Sequence, residues 1–299
     1  MVEIDVGLVR RLVGEQFPQW RELPVRPVDN DGWDNRTFRL GERMSVRLPS
    51  ADGYSAAVEK EQRWLPVLAP RLPLPIPTPI GRGVPSDSFS RPWSIYGWID
   101  GDPTRHDTVD DLTAFGTDLA DFLTALWTVE ATDGPAPGAH NFHRGGSLDV
   151  YDAQTRAAVD RLGDTVDGAT ALDVWENALA ATWTGVPVWL HGDFGNGNLL
   201  TRDGRLSAVI DFGTSAVGDP ACDLVIAWTF LDAQARAAFA DRLGGADSAM
   251  WARARGWAIW KALIVTAGIA GTNSPGLGRS PGVIEAVIAD HRDASPNRR

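Results

Sequence analysis

The stretch Val188–Asp223 holds three residues whose types suit the transfer of a phosphoryl group: Asp193, Asn198 and Asp211. Asp193 lies in His191-Gly192-Asp193-Phe194-Gly195-Asn196-Gly197-Asn198, five positions before Asn198. Asp211 follows thirteen positions later, in Ile210-Asp211-Phe212-Gly213. A carboxylate at the first position can orient an attacking hydroxyl and take its proton. An amide oxygen and a second carboxylate are hard donors for magnesium, which needs few protein ligands because phosphate oxygens and water complete its octahedron. Other chemistries fit these residues less well. Gly192, Gly195 and Gly197 run as G-x-x-G-x-G, not in dinucleotide-loop order, and no glycine-opened helix follows. His191 and Cys222 lack the paired spacing of zinc ligands. Asp29, Asp31 and Asp34 do not make a calcium loop, because Gly32 falls too early and the closing glutamate is missing.

To act together, a loop at Asp193 and a strand end at Asp211 must meet in one cleft. Two strand candidates, Val188 to Leu190 and Leu206 to Ile210, with a hairpin around Asp203 and Gly204, can bring them there. The first hundred residues read as short strands with one helix. Thr37 to Leu40 and Ser45 to Leu48 form a hairpin about Gly41, and Ala56 to Leu68 reads as the helix. Pro73, Pro75, Pro77 and Pro79 then mark an extended connector, since proline has no amide donor for a central strand. The apolar run Trp93 to Ile99 reads as a buried strand.

After Gly101 the period turns helical. Thr108 is the expected N-cap, followed by Leu112, Phe115, Leu119, Phe122, Leu123 and Leu126. Ala131 to Gly146 reads as a loop, and Leu172, Trp175, Leu179 and Trp183 as a further helix. Asp219 is a cap with Pro220 at the first helical position. The fold class expected is α+β: a small β-rich lobe over residues 1–98 and a larger, mainly helical lobe over 99–299.

Net charge is −11, which argues against nucleic acid or an anionic membrane surface as the main partner. An acidic surface attracts a cationic small molecule, or merely keeps the chain soluble. One cysteine, Cys222, permits no internal disulfide and fits a cytoplasmic setting. The N-terminus carries acids before any basic residue and no apolar core, unlike a signal peptide. The most apolar run, Ala258 to Ala270, contains Lys261 and is too short to span a membrane.

His191-Gly192-Asp193 with Asn198, followed by Asp211-Phe212-Gly213, resembles the catalytic and metal-binding loops of the aminoglycoside phosphotransferase family. The resemblance implies the two-lobed fold of protein kinases. It implies Asp193 as the catalytic aspartate, Asn198 and Asp211 as ligands of Mg2+, and His191 as a structural residue of the loop. Gly32 falls where the family places its nucleotide-covering loop, and glycine there permits close approach to phosphates. Arg47 stands where kinase-like folds usually carry a lysine, and Glu61 where its acidic partner sits, with Glu59 and Lys60 leaving the register open. A guanidinium is always charged and can fork to phosphate or carboxylate, so Arg47 reads as phosphate-binding rather than as a solvated arginine. Trp98 ends the strand leading into the hinge, whose backbone would hold an adenine or guanine edge. Asp219 and Asp223 read as caps and loop braces.

The expected reaction moves the γ-phosphoryl group of ATP or GTP, with Mg2+, to a hydroxyl of a small cationic acceptor. An aminoglycoside-type antibiotic is the acceptor that the resemblance suggests. A metabolic kinase acting on an amino alcohol or sugar, and a non-catalytic nucleotide-binding protein, are the alternatives. The helix around Trp251, Trp257 and Trp260 is expected to line the acceptor cleft, with acidic residues there to pair with amines.

Overall fold

The structure is a computed structural model describing residues 3–28, 34–244, 247–269 and 280–294. Its N-terminal part is a five-stranded antiparallel sheet in the order β1-β2-β3-β5-β4. The strands are β1 (Val25–Pro27), β2 (Asn35–Leu40), β3 (Met44–Pro49), β4 (Pro79–Gly83) and β5 (Trp93–Gly97). The β2–β3 hairpin forms as expected, with Leu40 opposite Met44 and Gly41 left-handed at φ +59°. Successive strand residues point to opposite faces. Val46 and Leu48 of β3 and Trp93 and Ile95 of β5 therefore share one buried face. Helix α1 (Val6–Gln16) packs there through Leu8, Val9, Leu12 and Val13, its start capped by Asp5 accepting from Leu8 N at 2.7 Å. This part thus holds two α-helices, not the expected one.

Arg47, Ser94 and Tyr96 take the other face, where α2 (Ser55–Leu68) lies. This alternation is what delivers Arg47 to the site. The proline connector ends at Pro79, which opens β4. As the edge strand's first residue, Pro79 needs no ladder donor.

Beyond Gly97 come β6 (Asp102–Pro103), α3 (Leu112–Trp127), α4 (Asp152–Leu162) and α5 (Gly168–Ala180). Then follow β7 (Val188–Leu190), β8 (Leu199–Arg202), β9 (Arg205–Val209) and β10 (Ala216–Gly218). The chain continues through α6 (Ile226–Thr229), α7 (Ala233–Leu243), α8 (Ser248–Thr266) and α9 (Ser280–Ala294). Asp111, not Thr108, caps α3: its carboxylate accepts from Thr113 N at 2.9 Å and Ala114 N at 3.0 Å. Thr108 instead closes a short turn, with its hydroxyl accepting from Arg105 N. The α5 helix stops at Ala180, short of Trp183.

A second core fills the space between these helices, built on Phe115, Leu119, Trp175, Trp189, Phe212, Phe239 and Trp257. It also takes in Leu65, Leu68, Ile76 and Tyr96 from the N-terminal part, so apolar packing is continuous between the two parts of the chain. Helix α8 is buried around most of its circumference, as a central helix must be. Among the described residues no helix is long and apolar enough to cross a membrane.

Candidate active site

The strand β7 delivers the loop that follows it, and pairs antiparallel with β10. His191 closes that strand and is fully buried. Its Nδ1 accepts from Asp193 N at 3.2 Å, so Nε2 carries the proton and donates to the Ile210 carbonyl at 2.9 Å. Both ring nitrogens are thereby used in tying the Asp193 loop to the strand that leads to Asp211. Asp223 braces the same loop by accepting from His191 N and Gly192 N, each at 2.7 Å. Burial raises the Asp223 carboxyl above its ordinary range, while His191 and the two backbone bonds oppose the shift. Gly192 has φ +85°, and a Cβ there would lie 2.5 Å from the Thr214 carbonyl oxygen, so only glycine fits.

Asp193 is exposed at the end of this braced loop. Asn198 donates from Nδ2 to Asp193 Oδ2 at 3.0 Å and to the Asp193 carbonyl at 2.9 Å. The two residues therefore lie together, as their spacing predicts. Asn198 ends a short turn (Asn196–Asn198) just before β8, whose hairpin with β9 turns at Asp203 and Gly204, both at positive φ. Ile210 N donates to the Asn198 carbonyl at 2.8 Å, which sets Asp211 next to the loop. Asp211 itself is left-handed at φ +64°, a conformation aspartate tolerates better than most residues.

Arg47 reaches Asp211 across the cleft from β3, with Nη2 2.9 Å from Oδ1. Its Nη1 lies 3.7 Å from Glu61 Oε1. The sheet face thus decides the open register on α2. Glu59 pairs with Arg82 at the surface, Lys60 donates to the Ser215 carbonyl at 2.9 Å, and only Glu61 turns inward. Tyr96 donates its hydroxyl to Glu61 Oε2, and Oε1 has no hydrogen bond. Burial pushes the Glu61 carboxyl up, against the pull of Arg47. Burial would also raise Asp211, but the Arg47 guanidinium outweighs it and holds that carboxyl below its usual range. Lys60 is lowered to about 8 by burial. Asp34, at the start of β2, is raised to about 6 by burial and then by the nearby Asp211 charge.

Two expected nucleotide contacts stand differently. Gly32 lies outside the described residues. Trp98 spends its backbone N–H on the Arg43 carbonyl at 2.8 Å and its indole N–H on Asp100 at 2.8 Å. Its ring is covered by the Arg39 guanidinium, 3.9 Å from the ring centroid.

On the other side of Asp193 a cleft opens between the loop and α8, lined by Arg144, Phe194, Val225, Trp257 and Lys261. Trp257 lines it as expected, whereas Trp251 packs edge-on against Trp228 and Phe239 in the core. The acids expected to pair with amines are not in this cleft: Asp193 is the one carboxylate on its wall among the described residues. Burial and the neighbouring Arg144 charge lower Lys261 below the ordinary lysine range, with Asp193 pulling the other way.

The sequence profile of the phosphotransferase enzyme family matches residues 25–257. The chain belongs to this family. A comparison with curated proteins finds no match in sequence. Among solved structures, this phosphotransferase is similar to the GDP complex of aminoglycoside 2'-phosphotransferase-IIIa, with a TM-score of 0.68 at 17% identity over 96% of this chain and 100% of that one. It is similar to a macrolide 2'-phosphotransferase from Brachybacterium faecium, with a TM-score of 0.60 at 22% identity over 95% and 97% of the two chains. A ternary complex of aminoglycoside phosphotransferase APH(4)-Ia with AMP-PNP and hygromycin B gives 0.62 at 20% identity over 94% and 97%. At these identities the likeness is one of fold, and that fold is the kinase-like one expected: a sheet-bearing N-terminal part followed by a helical remainder.

Three features of this phosphotransferase were not legible in its motifs. Arg253 of α8 forms a buried forked pair with Asp219, at 2.6 and 3.1 Å, and so holds the turn that carries Asp223. Arg144 comes from a loop that reads only as Gly- and Pro-rich. Lys261 had one signal: a lone lysine in the most apolar run of the chain, which reads first as a break in a hydrophobic stretch.

Proposed function

We propose that this phosphotransferase carries the γ-phosphoryl group of ATP or GTP to a hydroxyl of a small molecule, with Asp193 as the catalytic residue. The observation that supports this most is the convergence of Asp193 and Asn198, from the connection between β7 and β8, with Asp211, which follows β9, beside Arg47. One oxygen of Asp193 is held by Asn198, leaving Oδ1 to orient the acceptor hydroxyl and take its proton. The loop that carries it is braced by Asp223 and His191, so the carboxylate meets the acceptor with little reorganisation.

The donor set fits magnesium. Asn198 spends its amide nitrogen on Asp193 and keeps Oδ1 as an acceptor, while Arg47 holds Asp211 ionised. Mg2+ bound by Asn198 and Asp211 would neutralise charge on the phosphates. Arg47 has N–H donors beyond those facing Asp211 and Glu61, and these suit phosphate oxygens. The backbone of Ile99 makes no hydrogen bond among the described residues, which favours it over the Trp98 N–H for the base edge.

The similar structures include aminoglycoside and macrolide kinases, which supports a hydroxylated small-molecule acceptor without choosing among acceptors. One observation favours a metabolite kinase over one that modifies a polycation: the cleft beside Asp193 presents Arg144 and Lys261. The test is Mg2+-dependent turnover of ATP and GTP over a panel of hydroxylated compounds, with the phosphate ester identified in the product. Formation of an ester by wild type and its loss in Asp193→Asn supports the reading. An Asp193→Asn enzyme with near-normal transfer would contradict it.

A further inference from the structure

Cations inside this protein are paired almost wherever they are sheltered. Arg47 faces Asp211 and Glu61, Arg253 faces Asp219, and Arg255 faces Asp290. Arg144 and Lys261 break that pattern. Both are half-buried on the wall of the cleft beside Asp193, and neither makes an ion pair or a side-chain hydrogen bond among the described residues.

They are nevertheless held. The Arg144 backbone is anchored by Asn141, whose Nδ2 donates to its carbonyl at 2.9 Å and whose own carbonyl accepts from Arg144 N. The Arg144 guanidinium lies over Trp257 and Trp260, 5.1 and 4.9 Å from their ring centroids. Those faces attract it without neutralising it. Tyr151 stacks on Trp260 at 3.9 Å between centroids and fixes the ring by donating its hydroxyl to the Phe142 carbonyl at 2.7 Å. Lys261 projects from α8 one turn after Trp257, its ammonium 5.9 Å from the Trp260 centroid.

Two like charges sheltered together, with one carboxylate on the same wall, are unfavourable until an anion arrives. Burial and Arg144 already weaken the proton's hold on Lys261, which is the signature of such a shortfall in negative charge. A polycationic acceptor would worsen it. We infer that the acceptor carries an anionic group, a carboxylate or a phosphate, which Arg144 and Lys261 bind while its hydroxyl lies at Asp193. The inference rests on the phosphotransferase reading and deepens it by naming the acceptor's class. The other source of such an anion is the nucleotide itself, but Arg47 and Asp211, which pair with each other, do not line this cleft.

The experiment measures steady-state transfer by wild type, Lys261→Met and Arg144→Gln. The acceptors are aromatic hydroxy acids, sugar acids and sugar monophosphates, with their neutral alcohol and amide counterparts and kanamycin. The anionic members are expected to lead. Each variant is expected to raise the acceptor KM by about 10- to 100-fold, the scale of one hydrogen bond to a charged group, with the nucleotide KM unchanged. Lys261→Met removes a sheltered charge and is expected to fold at least as stably as wild type, so a loss of binding is not a loss of fold. Faster transfer to kanamycin or to neutral alcohols overturns the inference and leaves phosphotransfer standing. A rise in nucleotide KM instead assigns the pair to the nucleotide's phosphates and also overturns it. If no compound is phosphorylated, melting with Mg2+ and a non-hydrolysable ATP or GTP analogue decides. Anionic compounds must raise the wild-type Tm and not that of Lys261→Met; equal shifts, or none, refute the inference. A chain that binds neither nucleotide refutes the underlying reading as well.

Discussion

Arg47, beside Asp211, and the pair Arg144 and Lys261, on the wall with Asp193, are cations that the protein treats in opposite ways. Towards β3, Arg47 is fixed by Asp211 and Glu61, and Glu61 in turn by the Tyr96 hydroxyl. Towards α8, Arg144 and Lys261 face aromatic rings and open cleft, and among the described residues neither makes an ion pair. Arg47 already has two carboxylate partners from the chain, so binding of phosphates must redistribute contacts already made. Arg144 and Lys261 share their wall with one carboxylate among the described residues, Asp193. On the proposed reading, the difference would separate a site for a shared co-substrate, built from motif residues, from a site whose lining selects the acceptor.

Removing the Asp193 carboxylate should have the largest effect. Asp193→Asn is expected to lower kcat by about 10²- to 10⁴-fold, the usual yield of a positioned general base, with nucleotide KM little changed. Steady-state kinetics check it, and a matching rise in nucleotide KM would blur the division between the sides. Next is the distinction between paired and unpaired cations. Arg253→Met strands the buried Asp219 charge and is expected to cost about 3–5 kcal/mol in urea unfolding, whereas Lys261→Met should cost nothing. Similar losses in both variants would show that the pairing difference carries no energetic weight. Arg47→Ala is expected to raise nucleotide KM by about 10- to 100-fold, and Arg47→Lys by less, since it keeps the charge but loses the fork.

The smallest effect concerns Asp34. Folding raises this carboxyl from 3.8 to about 6, through burial and then through Asp211. Its contribution to stability is therefore whole below the unfolded pKa and is lost as pH rises through the folded one. Wild type should lose stability relative to Asp34→Asn on going from about pH 4 to about pH 7. Urea unfolding at the two pH values checks this, and a difference independent of pH contradicts it.

What the sequence made legible follows from what is local. The β2–β3 hairpin, β7 and the pairing of Asp193 with Asn198 depend on turn residues and short spacing, and each lies within a residue or so of its expected place. Arg47 and Glu61 were legible as types, but the choice among Glu59, Lys60 and Glu61 needed the sheet face that α2 covers. Helix α1 carries its own local marks, the Asp5 cap and the Leu8, Val9, Leu12, Val13 stripe, but it stands alone among short strands, whose pattern is the stronger signal in this part of the chain. The Arg253–Asp219 pair joins residues 34 positions apart through packing of α8. Arg144 and Lys261 are harder still. Their meaning lies in making no ion pair among the described residues, which no single position in a chain can announce.

The proposed division of the site into a nucleotide side, with Arg47 paired, and an acceptor side, with Arg144 and Lys261 in no ion pair among the described residues, is tested most directly by one set of kinetics. Both KM values are measured for wild type, Arg47→Ala and Lys261→Met, on the best acceptor found. Arg47→Ala should raise the nucleotide KM and leave the acceptor KM within about twofold, and Lys261→Met should do the reverse. If both variants move the same KM, the two sides are not separate, and the assignment built on them fails.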